Sequence, residues 1–343
     1  MKKSSFLALL LACGSLAPAV AAERVTLKIA HFLPASSNAQ QHVIQPWCDT
    51  LARESEQRIQ CQIYPSMQLG GTPGQLPDQV RNGVVDIVWT APGYSPGRFP
   101  RSEAVELPFM LPANGVQASK IIWQFYQQAL QEDYKGYRVL ALHSDGGMQL
   151  HTTGKAVRSL EDFKGLKLRA SSRMSARLAT GLGAAPVSMP AAQLTESLSK
   201  GVIDGALASW ELIPALKLDE VTQHHTDVPE GRPTFSITLL GMLMNPRSYE
   251  RMPDDLKAIL DRNSGDALVQ RFGEAWENEL ARARDMVARD SVASFEPAAY
   301  QSLREAGDKV TAEWVADAEG KGLAGGQLAD RLRELSRAAG VEL

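Results

Sequence analysis

Apolar and polar positions alternate along residues 25–30 (VTLKIA), which predicts a strand ending at His31-Phe32-Leu33-Pro34. Ser36-Ser37-Asn38 offers caps for a helix reaching Arg53, in which Pro46 predicts a kink or a late start. Residues 58–64 read as a second strand, 65–74 as a long glycine-rich turn, 76–82 as helix and 84–90 (VVDIVWT) as a third strand. The chain up to Thr90 thus carries βαβαβ, the half-unit of a doubly wound sheet. Residues 91–100 (APGYSPGRFP) form a loop leaving the end of that third strand. An amphipathic helix over 118–134 and a strand over 137–143 follow, and the short glycine-rich run 144–147 is a crossing into a second domain.

That domain opens with residues 148–153 and is organised around 163–207. Strands are expected at 166–170, 185–190 and 202–207, with helices between them and Gly205 marking a bulge or a close backbone approach. Short strands alternating with helices argue for a parallel sheet covered by helices, whose ligands gather at the carboxyl ends of the strands. Arg169 lies near such an end, and a guanidinium is a permanent cation with a fork of donors suited to a carboxylate. Taken alone, it also fits a strand-end arginine paired with a surface acid. Residues 229–233 are a second crossing, after which 234–244 (TFSITLLGMLM) reads as a buried strand returning to the first domain. Residues 253–289 are helical, long enough to brace both domains, and two further helices cover 297–319 and 326–339. Asp254-Asp255 opens a helix after Pro253, where the helix dipole accounts for the pair.

The N-terminus changes the compartment. Lys2-Lys3, an apolar run over 6–12 and Ala19-Val20-Ala21-Ala22 before Glu23 have the layout of a secretory signal over residues 1–22. A lipoprotein-like alternative exists at Leu10-Leu11-Ala12-Cys13. Beyond it no apolar run reaches the roughly 20 residues that cross a bilayer, so no stable membrane insertion is expected after cleavage. Loss of Lys2 and Lys3 takes the formal net charge from −3 to −5, which gives no support to nucleic-acid binding. An anionic ligand must therefore be held by local charge. Cys48 and Cys61 remain in an oxidising compartment and are expected to pair, the alternative being two buried free thiols.

Three blocks carry a family resemblance: Gly165-Leu166-Lys167-Leu168-Arg169, the turn Gly183-Ala184-Ala185-Pro186-Val187 with Met189-Pro190, and Gly201-Val202-Ile203-Asp204-Gly205. Their sequence and spacing resemble the solute-binding proteins of TRAP transporters, periplasmic receptors for organic acids, over nearly the whole mature chain. Leu107-Pro108-Phe109 resembles a turn of the same family. The resemblance implies an α/β periplasmic-binding-protein fold of two domains, with a hinge crossed at least twice and a long helix bracing both. The expected division is 23–146 plus about 234–270 for domain I and 147–233 plus about 271–320 for domain II, with 321–343 packing on the body as a C-terminal helix. It also implies a ligand carboxylate on Arg169 in the interdomain cleft and a membrane permease as partner. Trp89, Tyr94 and Trp210 would supply flat apolar walls, His31 and Gln149 polar contacts, and Phe235 a further cleft contact.

Two departures shape the expected substrate. Ala208 stands where the sialic-acid and C4-dicarboxylate branches resemble one another in an asparagine, and Gln149 where they commonly have a second arginine. One cation fewer beside large aromatics suits a monocarboxylate with an aromatic or apolar body, since a dianion would leave buried groups unpaired. A C4-dicarboxylate or keto-acid receptor is the alternative within the family. No cofactor or metal is expected: the six histidines form no CxxC or HExxH arrangement, and His224-His225 with Asp227 reads as a solvated helix end. Cation-binding relatives use a Glu-Trp pair after the third strand, whereas the order here is Trp210-Glu211. No GxSxG elbow occurs, and Ser171-Ser172-Arg173 lacks an identifiable base, so an enzyme is not expected. A two-lobed periplasmic hydrolase is the rival from another class.

Overall fold

The computed structural model describes residues 23–343; the expected signal peptide lies outside them. Four strands come first: β1 (Val25–His31), β2 (Ile59–Tyr64), β3 (Ile87–Thr90) and β4 (Arg138–Ser144). The chain then crosses to a second sheet and lays down β5 (Gln149–Thr152), β6 (Lys167–Ala170), β7 (Ala185–Ser188), β8 (Gly205–Ala208) and β9 (His224–Asp227). It returns for β10 (Leu239–Met244) and reaches β11 (Val292–Ser294) through the long helix Asp266–Met286. The spatial orders are β2-β1-β3-β10-β4 and β11-β9-β5-β8-β6-β7. In each sheet the strand laid down after a crossing runs antiparallel to both its neighbours, β10 in the first and β5 in the second.

The two crossings are stitched to each other. The Met148 N–H donates to Ser236 O at 2.9 Å, and Thr234 Oγ1 donates to Met148 O at 2.6 Å. Gly147 sits at φ +98°, and a Cβ there would lie 3.0 Å from Thr234, so the crossing requires glycine on both counts. The strand expected over 234–244 is consequently shorter. Only Leu239–Met244 joins the sheet, because 234–238 are used in the crossing.

Proline and side-chain pairing explain the other differences. The helix expected from Ser36 to Arg53 is a π-turn (Ala39–Ile44) followed by an α-helix (Gln45–Glu54). Pro46 has no N–H to offer the preceding turn, which widens there. Cys48 of that helix is disulfide-bonded to Cys61 of β2. A loop of this length contributes about 3 kcal/mol by chain entropy. The solvated helix end expected at His224-His225-Asp227 is incorrect, for these residues form β9, and His225 is buried against His151 of β5. Two cores result. The larger fills the first sheet and reaches Ala206, Ala208 and Trp210, and the smaller gathers Leu150, Leu168, Leu207, Phe163 and Phe235 on the other side of the second sheet.

Candidate functional site

The three sequence blocks have physical reasons. Asp204 accepts the Lys167 N–H at 2.8 Å and so fixes the start of β6. A Cβ on Gly205 would come within 2.6 Å of His151 O, so β5 and β8 approach as they do only with glycine at that place. Parallel pairing then sets Arg169 beside Ala206 on one flank and Val187 on the other. Ser172 accepts the Ser175 N–H and caps the helix Arg173–Gly181, so this serine is occupied in ending one element and starting the next.

Arg169 is 1% exposed. Its Nε donates to Met189 O at 3.1 Å, one terminal nitrogen makes a long 3.5 Å contact to Leu207 O, and the other donates to Tyr94 Oη at 3.2 Å. All three acceptors are neutral. Tyr94 belongs to the loop after β3, and its Oη also accepts the Ala191 N–H at 3.2 Å. One phenol therefore links the first domain to the second and keeps its own proton free to donate. The halves approach closely here: a Cβ on Gly93 would lie 2.8 Å from Ser172 Cβ.

Aromatic rings continue from that contact. Tyr94 meets Phe32 edge-on at 5.2 Å, and Phe32 stacks on Trp89 at 5.0 Å with ring planes 9° apart. Trp89 Nε1 donates to His143 Nε2 at 3.0 Å, and Trp276 of the long helix lies 6.0 Å from the Trp89 ring. His31 is 6.1 Å from Trp89 and shares a 2.8 Å hydrogen bond with Gln40 Oε1. Burial pushes His31 down to about 4 and His143 to about 3, so both are neutral at physiological pH.

The expected residues do not all converge. Arg169 and Tyr94 touch, and Trp89 and His31 join them through Phe32 and Trp89's own ring. Trp210 instead donates from Nε1 to Asp227 Oδ1 at 2.8 Å and packs edge-on against His151, under the Arg284 guanidinium. Gln149 pairs with Ala208 and lines a hinge-side cavity with Asp227 and Arg284. Phe235 packs among Phe109, Phe163 and Phe295 in the smaller core.

Four residues at the seam escaped the sequence reading as contacts: Phe32, Trp276, Asp145 and Glu211. Asp145 accepts the Gly147 N–H at 3.0 Å, and burial raises it to about 6 against the pull of Gly147, Thr238 and the field of Arg169. Glu211 is raised to about 8 by burial and by the neighbouring negative charges of Asp145 and Glu279, with Ser209 and the Trp276 indole working the other way. Among the described residues no three of His, Cys, Asp and Glu are grouped as a metal site would need.

Two sheet domains joined by three passes of chain, with a guanidinium sealed at their seam, have the architecture of a receptor that closes around a small solute. The chain belongs to the bacterial extracellular solute-binding proteins, family 7 (DctP), whose pattern matches residues 29–317. It is thus a periplasmic receptor of the TRAP type, a class that works with a membrane permease. No helix among the described residues is long and apolar enough to cross a membrane.

Solved relatives share both fold and sequence. A TRAP solute-binding protein from an unidentified marine microbe, specific for aromatic acid ligands and solved with 3-hydroxybenzoate, is 38% identical with a TM-score of 0.89, covering 92% of this chain and 99% of that one. One from Rhodoferax ferrireducens, solved with copurified benzoate, is 37% identical with a TM-score of 0.88, covering 92% and 98%. The sialic acid-binding periplasmic protein SiaP of Vibrio cholerae is 30% identical over 234 residues, 66% of this chain and 68% of its own.

Proposed function

We propose that this receptor captures an aromatic monocarboxylate between its domains and delivers it, chemically unchanged, to a TRAP permease. The observation that carries the reading is the state of Arg169: a fully buried cation whose hydrogen-bond acceptors are all neutral. Asp145 reaches this cation only through its field, and a ligand carboxylate bonded to the guanidinium would offset the cost of burying it. Tyr94 would add its phenolic proton, while Phe32 and Trp89 would present ring faces to an aromatic body. The protein supplies one such cation at this place, which favours one carboxylate over two. The relatives solved with 3-hydroxybenzoate and benzoate support the same class.

On this reading the bodies formed by 23–146 with about 234–270, and by 147–233 with about 271–320, close on the solute, and ligand favours the closed state by binding it better. A thermal-shift screen decides the matter, since ligand that binds the native state raises its melting temperature. Benzoates and phenylacetates should raise it more than malate, succinate or sialic acid, with the added acid recovered intact. A dicarboxylate at the top of the ranking would overturn the substrate class, and conversion of the acid would overturn the claim of binding alone.

A further inference from the structure

Glu211 is 4% exposed and one of its carboxyl oxygens, Oε2, has no hydrogen-bond partner among the described residues. It follows β8 in the turn Ser209-Trp210-Glu211, at the same end of the second sheet as Arg169. The indole of Trp276 faces it and, with Ser209, favours its charged form against the effect of burial. From there the rings of Trp276, Trp89, Phe32 and Tyr94 run in unbroken contact to Arg169. Asp145 stands within electrostatic reach of both ends, drawn down by Arg169 and itself acting on Glu211. An aromatic wall therefore has a cation at one end and, at the other, a buried carboxyl with one oxygen unpaired among the described residues.

We propose that Glu211 reads a hydroxyl group on the ring of the ligand, so that the receptor's preferred substrates are hydroxylated aromatic acids. This rests on the aromatic-monocarboxylate reading above and names the substituent that reading leaves open. Beside Asp145 and Glu279, burial holds the Glu211 carboxyl protonated at neutral pH, with a pKa of about 8. A neutral carboxyl both donates and accepts, as a hydroxyl does, and a second ligand carboxylate would meet the acids Glu211, Asp145 and Glu279 there. A site built to hydrogen-bond a hydroxyl discriminates strongly against an analogue lacking it, because its own polar group is then left unpaired.

The test is calorimetric titration of the whole mature protein with benzoate, 3- and 4-hydroxybenzoate, and the matching 3- and 4-methylbenzoates, which fill similar volume without a hydrogen bond. At least one hydroxy acid should bind about tenfold or more tighter than its methyl counterpart. Glu211→Leu should remove that advantage, bringing each hydroxy acid within about threefold of its methyl counterpart, whereas Glu211→Gln, which still donates and accepts, should retain most of it. If benzoate binds and neither hydroxyl position gives a gain, the Glu211 assignment is wrong while the parent reading stands. If no benzoate binds at all, both fall. The wild-type series is decisive by itself should the leucine variant fail to fold.

Discussion

Arg169 and Arg173 are four residues apart, on either side of the turn between β6 and its following helix, and their charges are treated in opposite ways. Arg173 closes a two-point pair with Glu103, across the domain seam, and Trp314 donates to the same carboxylate at 3.0 Å. That pair is only partly buried, with side-chain exposures of 35% and 14%. Arg169 is buried deeper and meets only carbonyls and a phenol. A cation whose counter-charge is hydrogen-bonded to it contributes to the fold; Arg169 has only neutral hydrogen-bond acceptors and feels Asp145 through its field alone, which on the proposed reading leaves its donors for a ligand carboxylate. The contrast is the physical reason for placing function at Arg169 and structure at Arg173.

The largest effect is expected from Arg169→Ala. Truncating one partner of a desolvated charge pair costs about 2–5 kcal/mol, so affinity for the best aromatic acid should fall by between one and four decades. Titration calorimetry showing unchanged binding would place the carboxylate elsewhere. Arg169→Met adds a sharper point: without ligand its melting temperature should hold or rise, because an uncompensated buried charge is gone. Next in size is Tyr94→Phe, which deletes the acceptor shared by Arg169 and the Ala191 N–H. A loss of about 1–2 kcal/mol, roughly fivefold to thirtyfold in affinity, is expected, and most of it should appear as faster dissociation in stopped-flow.

Arg173→Met should reverse the pattern, with stability falling by about 1 kcal/mol in urea unfolding and affinity staying within about threefold. A variant that keeps its stability but loses its ligand would dissolve the distinction between the two arginines.

The smallest effects extend the contrast to acids. Glu103 is paired, whereas Glu106, Asp145 and Glu211 are buried and raised to about 7, 6 and 8, burial being the first cause in each. A carboxyl raised in the folded state gives its full stability below its ordinary pKa and loses it as pH rises through the folded value. Glu211→Gln should therefore gain on the wild type between pH 5 and 9, read as melting-temperature differences, and a constant offset would refute the burial argument. Histidines 31, 143, 151 and 225 act in the other direction. Their folded values are lowered, so the unfolded chain takes up their protons first and stability is lost as pH falls below about 6.5.

Local pattern made the scaffold legible. The alternation at Val25–His31 and the strand-helix rhythm through β6, β7 and β8 match the structure because their apolar faces and glycine breaks are encoded within a few residues. β9 was illegible for the opposite reason. His-His-Thr-Asp has no apolar member, and it is buried only because His225 bonds to His151 at 2.8 Å and Trp210 holds Asp227. Arg169 was visible as a strand-end arginine, but its surroundings were not. Phe32, Asp145, Glu211 and Trp276 come from segments far apart in the chain, and only the sheet orders bring them to one seam. For Asp145 a signal existed, since it lies inside the glycine-rich crossing. Trp89 and Trp210 are expected as walls and Phe235 as a further cleft contact, yet composition says nothing about which side of a strand or turn a ring will occupy.

The position of β10 has a consequence for how the protein is made. It fills the place between β3 and β4, so the N-terminal sheet stays split until Met244 has arrived, more than two-thirds of the way along the chain. Pairings between such distant segments form slowly, because a long loop must be closed before any contact rewards it. A nascent receptor consequently lacks a finished domain during most of its synthesis. That delay suits a polypeptide that has to be threaded through a secretion channel before it acquires its shape.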